Sequence, residues 1–265
     1  MLNQKDIVYL YDGTFTGFLC CVFESFAKKE IPADICPEHF WQPTLYNTKY
    51  IENELSKAVR VEGWISEAFS ASAKSMLQEA FLSVMQQKEY HLLCFIHLCR
   101  LHPDKAPNML QNPSVLELNK ALVTIRREAS KWLGLLRFAD YNGVLISVIN
   151  PLAFVLPLLQ GHFCDRYSTE CFFIFDETNK AGLISEYGVG RLVEVDTFSL
   201  PVTTENEIAF QNLWKKFVKT IAIKERTNPA LQMNMMPKRY WKHLTEKQIY
   251  LNRQNNLTIN KKEEH

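Results

Sequence analysis

The chain has 265 residues with 30 Lys+Arg against 29 Asp+Glu, so its net charge of +1 marks it neither as a global polyanion binder nor as an acidic solvating protein. Hydrophobic residues make up 47% and aromatics 12%, enough material for a substantial core. Only 9 glycines argue against an all-β chain dense in tight turns, and no run of about 18 apolar residues offers a membrane-spanning helix.

Two further features narrow the class. The start MLNQKDIVYL lacks a basic stretch followed by an apolar one, so no secretory signal is expected. Seven cysteines without framework spacing point to a reduced, cytoplasmic chain. The charge balance also hides an asymmetry. Residues 205–265 carry 12 Lys+Arg against 6 Asp+Glu, while residues 1–204 carry 18 against 23. A polyanionic partner is therefore expected on the last quarter, unless Lys215, Lys216 and Lys219 only solvate a helix face.

Along the chain, DIVYLYDG reads as a strand ending in a turn at Asp12-Gly13. TFTGFLCCVFESFAKKE reads as a helix capped by Thr14, with Phe15, Phe18, Leu19, Val22, Phe23 and Phe26 on one apolar stripe. Residues 31–56 are proline-marked and read as irregular, and KAVRVEG reads as a short strand. Helices are expected in ISEAFSASAKSMLQEAFLSVM, in KEYHLLCFIHLCRL, and from Pro113 onward, where proline suits a first helical turn. In the last of these, Val115, Leu118, Leu122, Ile125, Ala129 and Trp132 recur at helical steps.

The texture then changes. LLRFAD and VLISVIN flank Asn142-Gly143, a two-residue hairpin signal. PLAFVLPLLQGHFCDRY reads as a helix bent near Pro157. CFFIFD, AGLISEY and RLVEVD read as a meander of strands, and residues 205–224 as an amphipathic helix with Leu213, Trp214, Phe217, Val218 and Ile221 inward. The expected class is α+β: antiparallel hairpins and a meander packed with several amphipathic helices in a single compact domain. Residues 1–204 form its core, 205–250 a helical basic-aromatic segment packed on that core, and 251–265 a polar tail expected to be disordered.

Four groups of residues invite a chemical reading. HLLCFIHLCRLH offers His91, Cys94, His97, Cys99 and His102, soft ligands in a dense run. Helical spacing spreads them over several faces, and a buried helix with surface histidines is the plainer reading. Cys164 and Cys171 are either nucleophiles or small buried hydrophobes. In GHFCDRY, His162 and Arg166 lie four apart on one helix face, suited to gripping a phosphate. The alternative is a helix end where Arg166 pairs with Asp165 or Asp176.

The fourth group is the run IAIKERTNPALQMNMMPKRYWKHLTE. It interleaves Arg226, Asn228, Lys238, Arg239 and Lys242 with Tyr240 and Trp241, cations for phosphates and rings for bases. Equally, the two rings cover a core while the cations face water. No phosphate-binding glycine loop, H-E-x-x-H or G-x-S-x-G is present, and no motif implies a cofactor or a metal. Lacking C-x-x-x-C-x-x-C, the chain does not itself carry the usual radical-SAM cluster site.

YDGTFTGFLCCVFESF, the GLLRF of Gly134 to Phe138, LPLLQGHFCDRY and LWKKFVKTIAIKERTNPALQMNMMPKRYWKHLTE resemble an uncharacterised bacterial family. Its members are described as DNA-metabolism or DNA-repair proteins carrying a domain of unknown function. The family is associated with a DNA-modification radical-SAM protein, and in some members the domain is fused to a uracil-DNA glycosylase. The resemblance directs attention to His162, Phe163 and Arg166, and to Arg226, Asn228, Pro237, Arg239, Tyr240 and Trp241, without assigning roles.

What it implies is a DNA repair or modification accessory protein that binds DNA and works with a radical-SAM partner. Two alternatives stay open. In one, the chain is an enzyme acting on damaged or flipped bases with His162 as acid or base. In the other, it is a protein–protein adaptor that does not touch DNA.

Overall fold

The computed structural model describes residues 3–200, 203–223, 226 and 228–247. The fold is α+β, and its contacts divide the chain into two units between Ile125 and Arg126. That division falls inside a long helix, and the expected polar tail at 251–265 lies outside the described residues.

The first unit opens with β1 (Asn3–Tyr11), α1 (Phe15–Lys28), β2 (Glu30–Pro37) and β3 (Asn47–Tyr50). Its sheet has the order β2-β1-β3, with both flanking strands parallel to β1. The all-parallel pairing differs from the expected hairpins. β3 and all of β2 but Glu30 fall in residues 31–56, which read as irregular. An edge strand needs only one row of ladder bonds, so β2 tolerates Pro32 and Pro37 and β3 tolerates the polar NTKY.

Thr14 caps α1 as expected, its Oγ1 accepting from Gly17 N at 2.9 Å, while Asp12 accepts from Thr14 N and Oγ1 at 2.9 and 2.8 Å. KAVRVEG lies within α2 (Leu55–Ala68), because Ala58, Val61 and Ile65 bury at helical steps. Ser70 then caps α3 (Ala71–Phe81), breaking the expected single helix in two. α4 (Lys88–Leu101) and the start of α5 (Pro113–Leu135) complete the unit, and α5 begins at the proline that the sequence marks.

One core fills this unit, with Tyr9, Tyr11, Phe18, Leu77, Leu92, Phe95 and Ile96 almost wholly buried. Within it Tyr11 Oη donates to Glu89 at 2.8 Å, and Glu89 is only 5% exposed.

The second unit continues from α5 into β4 (Ala139–Tyr141), β5 (Val144–Ile149), α6 (Leu156–Arg166), β6 (Cys171–Asp176), β7 (Ala181–Glu186) and β8 (Val189–Glu194). The sheet order is β4-β5-β6-β7-β8. The expected hairpin forms at Asn142-Gly143, where φ of 56° and 89° supplies the left-handed pair that a tight turn requires. The meander β6-β7-β8 is antiparallel as expected. β5 and β6 are parallel and joined through α6, so a crossover interrupts the run of hairpins. After the sheet come α7 (Glu205–Ile221), α8 (Pro229–Met235) and a tight helical turn over Lys238–His243.

Replacing Tyr11 with Phe leaves Glu89 buried without its hydroxyl donor. The expected cost is about 1–3 kcal/mol. Urea unfolding of the Tyr11→Phe variant checks this, with an unchanged slope and a lowered midpoint as the expected result.

Candidate functional site

The C-terminal basic-aromatic run is built into the second unit. Tyr240 is 1% exposed and packs edge-on against Trp132 of α5, ring centroids 4.9 Å apart. Trp241 is 9% exposed and donates Nε1 to Met236 O at 2.9 Å. Neither ring presents a free face on which a base can stack, so base-stacking by Tyr240 and Trp241 is corrected to core packing. Two adjacent residues both turn inward because the segment is a tight helical turn instead of an extended strand.

The cations beside them have acidic partners. Glu128 of α5 is 5% exposed and accepts from Leu152 N at 3.0 Å and Ala153 N at 3.1 Å, while Arg239 Nη2 reaches it at 3.2 Å. Arg239 also donates to Tyr240 Oη at 2.6 Å. Lys242 Nζ pairs with Glu177 at 2.6 Å and His243 Nε2 with the same carboxylate at 3.3 Å. Burial pushes Glu177 upward, but these partners outweigh it and hold the carboxyl below its usual range. Asn228 caps α8, its Oδ1 accepting from Leu231 N at 3.0 Å. Lys238 and Arg226 are exposed.

His162 and Arg166 present a different picture. Both are exposed, one turn apart on α6, and both line an open cleft of about 610 Å³ in the second unit. Neither makes an ion pair or hydrogen bond among the described residues; Arg166 only lies over the Tyr167 ring, 5.9 Å from its centroid. The expected alternative, a pairing of Arg166 with Asp176, does not occur. Asp176 is wholly buried in its own turn, accepting from Thr178 N, Asn179 N and Asn179 Nδ2 at 2.9, 3.0 and 2.7 Å. The cleft is shared with Arg137, not with Arg239.

α5, α6 and α7 supply the cleft walls. Gly134, Leu136, Arg137 and Phe138 come from the end of α5 and the residues after it, Phe163 and Tyr167 from α6 and its end, and Phe210 and Trp214 from α7. Phe138 meets Phe163 and Tyr167 edge to face, its centroid 5.7 and 5.0 Å from theirs, while Phe163 and Tyr167 lie nearly parallel at 6.3 Å. Arg137 closes the C-terminal end of α5, donating Nη1 to the carbonyls of Gly134, Leu135 and Leu136 at 3.2–3.3 Å. Its Nη2 pairs with Glu246 at 3.2 Å, and its guanidinium lies 5.6 Å from the Trp214 ring, whose Nε1 donates to the same Glu246 at 3.1 Å. On the opposite side Glu207 accepts from Asp140 N at 3.1 Å and Gln211 at 2.9 Å.

The arrangement offers two donors without hydrogen-bond or ion-pair partners among the described residues, a fixed third cation, and flat rings. That suits an anionic ligand with an aromatic part. Arg137, Tyr167, Phe210 and Trp214 are the participants that sequence reasoning missed. Arg137 and Tyr167 do sit inside the quoted GLLRF and HFCDRY segments. Trp214, expected to face inward, is 38% exposed, and Phe210, Leu213, Phe217 and Ile221 beside it are more exposed still.

The His/Cys run of α4 is dispersed. His97 is buried against Ser25 Oγ at 3.2 Å, and burial pushes its pKa down to about 4. His91 meets Ser114 Oγ at 3.1 Å, Cys99 is buried and Cys94 half-buried. Among the described residues no group of three or more His, Cys, Asp or Glu is placed to hold a metal ion. Cys164 is buried, and Gly190 is where β8 approaches it: a Cβ there would lie 2.5 Å from its Sγ.

Residues 86–246 match a family described as a domain of unknown function, DUF4130, and the chain, more than half of which is matched, belongs to that family. No curated protein matches it. A solved structure described as "pGpG-specific phosphodiesterase - PggH from Vibrio cholrae" is similar at 10% identity, over 69% of this chain and 81% of that one. Its TM-score of 0.27 carries no argument about fold or activity.

Asp176 gives the unit a pH dependence. Burial raises its carboxyl from 3.8 to about 6, despite the three N–H groups that favour the ionised form. A raised carboxyl stabilises the fold in its protonated form. That contribution is complete below pH 3.8 and is lost as pH rises through about 6. Asp176→Asn removes the dependence. The stability of the native chain relative to this variant should therefore fall by up to about 3 kcal/mol between pH 4 and pH 7, read from urea midpoints.

Proposed function

We propose that this DUF4130-family protein binds nucleic acid through the cleft of its second unit, with Arg166 and His162 gripping a phosphate at the mouth. A base would rest on the rings of Tyr167, Phe210 and Trp214. One observation carries the reading: His162 and Arg166 are both exposed on the cleft wall and neither makes an ion pair or hydrogen bond among the described residues. An arginine left unpaired beside exposed aromatic rings is poorly explained by folding and well matched to a phosphate next to a base.

The resemblance to DNA-metabolism proteins makes DNA the preferred nucleic acid, and repair or modification the preferred setting. The chain holds no iron–sulfur motif, so the radical-SAM partner would supply the chemistry and this chain would present the strand. The adaptor reading also has an observation in its favour, the open apolar stripe of α7 at Leu213, Phe217 and Ile221. We take it as the surface where that partner would dock.

Two experiments test these statements. Fluorescence anisotropy with labelled single- and double-stranded oligonucleotides across a salt series should give a steep negative slope. Arg166→Ala should lower affinity about tenfold and reduce the slope by about 0.7–0.9, the contribution of one phosphate contact. Unchanged binding by that variant would sink the cleft reading. Separately, Leu213→Glu with Phe217→Glu should abolish capture of the radical-SAM partner while the oligonucleotide affinity stays within about twofold; retained capture removes α7 as the docking face.

A further inference from the structure

The first unit has an aromatic groove of its own that the cleft reading does not use. α1 supplies Phe23 and Phe26, α2 supplies Arg60, Val61 and Trp64, and α4 supplies Arg100, together enclosing about 240 Å³. Phe26 and Trp64 meet edge to face, centroids 5.4 Å apart, so the groove has two ring walls at a steep angle. Two of the rings carry a guanidinium: Arg60 lies 5.3 Å from the Phe23 centroid and Arg100 5.6 Å from the Phe26 centroid.

Both arginines are exposed, and neither makes an ion pair or hydrogen bond among the described residues. The nearby Lys57 differs, since it is neutralised by Glu54. Phe23, Phe26 and Trp64 are only half-buried, although a helix interface has every reason to close over such rings.

We propose that this groove takes one nucleotide of a single-stranded nucleic acid, its base against Phe26 and Trp64 and its flanking phosphates on Arg60 and Arg100. The inference rests on the nucleic-acid reading for the class of ligand but uses none of the residues of the second unit. Three features select this occupant. The volume falls below the roughly 300–1,000 Å³ of ordinary small-molecule pockets and suits a single planar ring. Every wall but Val61 is an aromatic or guanidinium plane, and such planes stack bases regardless of sequence. Two arginines without acidic partners give a net positive rim, and their planar forks match phosphate oxygens.

The test is photocrosslinking and titration of the whole chain with oligonucleotides of about 12 nucleotides containing 5-iodouracil. Crosslinks mapped by mass spectrometry should fall on peptides carrying Phe26 or Trp64. Arg60→Ala with Arg100→Ala should lower affinity at least tenfold and reduce the salt slope by about 1.4, two single-strand phosphate contacts. Arg166→Ala, made in parallel, reports on the second unit alone. Loss with Arg166→Ala but none with the double variant, and adducts confined to residues 126–247, overturns this site and leaves the other standing. The reverse pattern supports this site and removes the other. A polyglutamate peptide that displaces the oligonucleotide from the Arg166→Ala protein at equal charge concentration shows a generic acidic-peptide groove and also overturns the proposal. Unchanged circular dichroism melting of the double variant ties the loss to contact instead of unfolding.

Discussion

The second unit depends on one buried carboxylate. Glu128 sits on α5 almost without solvent, and a charge there is tolerable only if donors surround it. Two backbone amides after β5 and the guanidinium of Arg239 fill that need. The consequence is structural. The chain leaving β5 is anchored to α5, and the C-terminal turn is drawn onto the same helix. Once Arg239 is fixed there, Tyr240 follows into the core against Trp132, and Trp241 closes over the next gap.

Seen from Glu128, the basic excess of the last quarter divides into two kinds of cation. Arg239 and Lys242 answer carboxylates at Glu128 and Glu177, and the surrounding rings are core. Composition alone assigned them to a ligand because unpaired and paired cations look alike in a sequence. Lys216, Lys219, Arg226 and Lys238 are the second kind: they face solvent without an acidic partner among the described residues, as do Arg166 on α6 and Arg60 and Arg100 in the first unit. A folded chain gains nothing from leaving an arginine over a ring without a carboxylate, beyond a modest cation–π term.

Much of this architecture was legible residue by residue. Thr14, Pro113 and Asn142-Gly143 each carry their own local physics, a cap, a helix start and a left-handed turn, and local physics survives into the fold. What failed was whatever depended on a distant partner. β2 and β3 carry prolines and polar residues that only an edge position permits, and edge position is a fact about β1. KAVRVEG has β-branched residues that suit a strand, yet Ala58, Val61 and Ile65 find the core at helical steps. The spacing of His162 and Arg166 was readable, but their freedom from Asp165 and Asp176 was not, since Asp176 is consumed by a turn in which Asn179 is its main donor.

The same limit explains Trp214. A 3.6-residue stripe of Phe210, Leu213, Trp214, Phe217 and Ile221 marks a face that avoids water, and it says nothing about what covers it. In the structure Trp214 is held edgewise by Glu246, under Arg137, while the stripe around it stays open. Glu246 thus does two things at once: it neutralises Arg137, which would otherwise compete with Arg166 for an anion, and it fixes the indole that forms the far wall. The cleft therefore combines aromatic surface with the unpaired donors of α6.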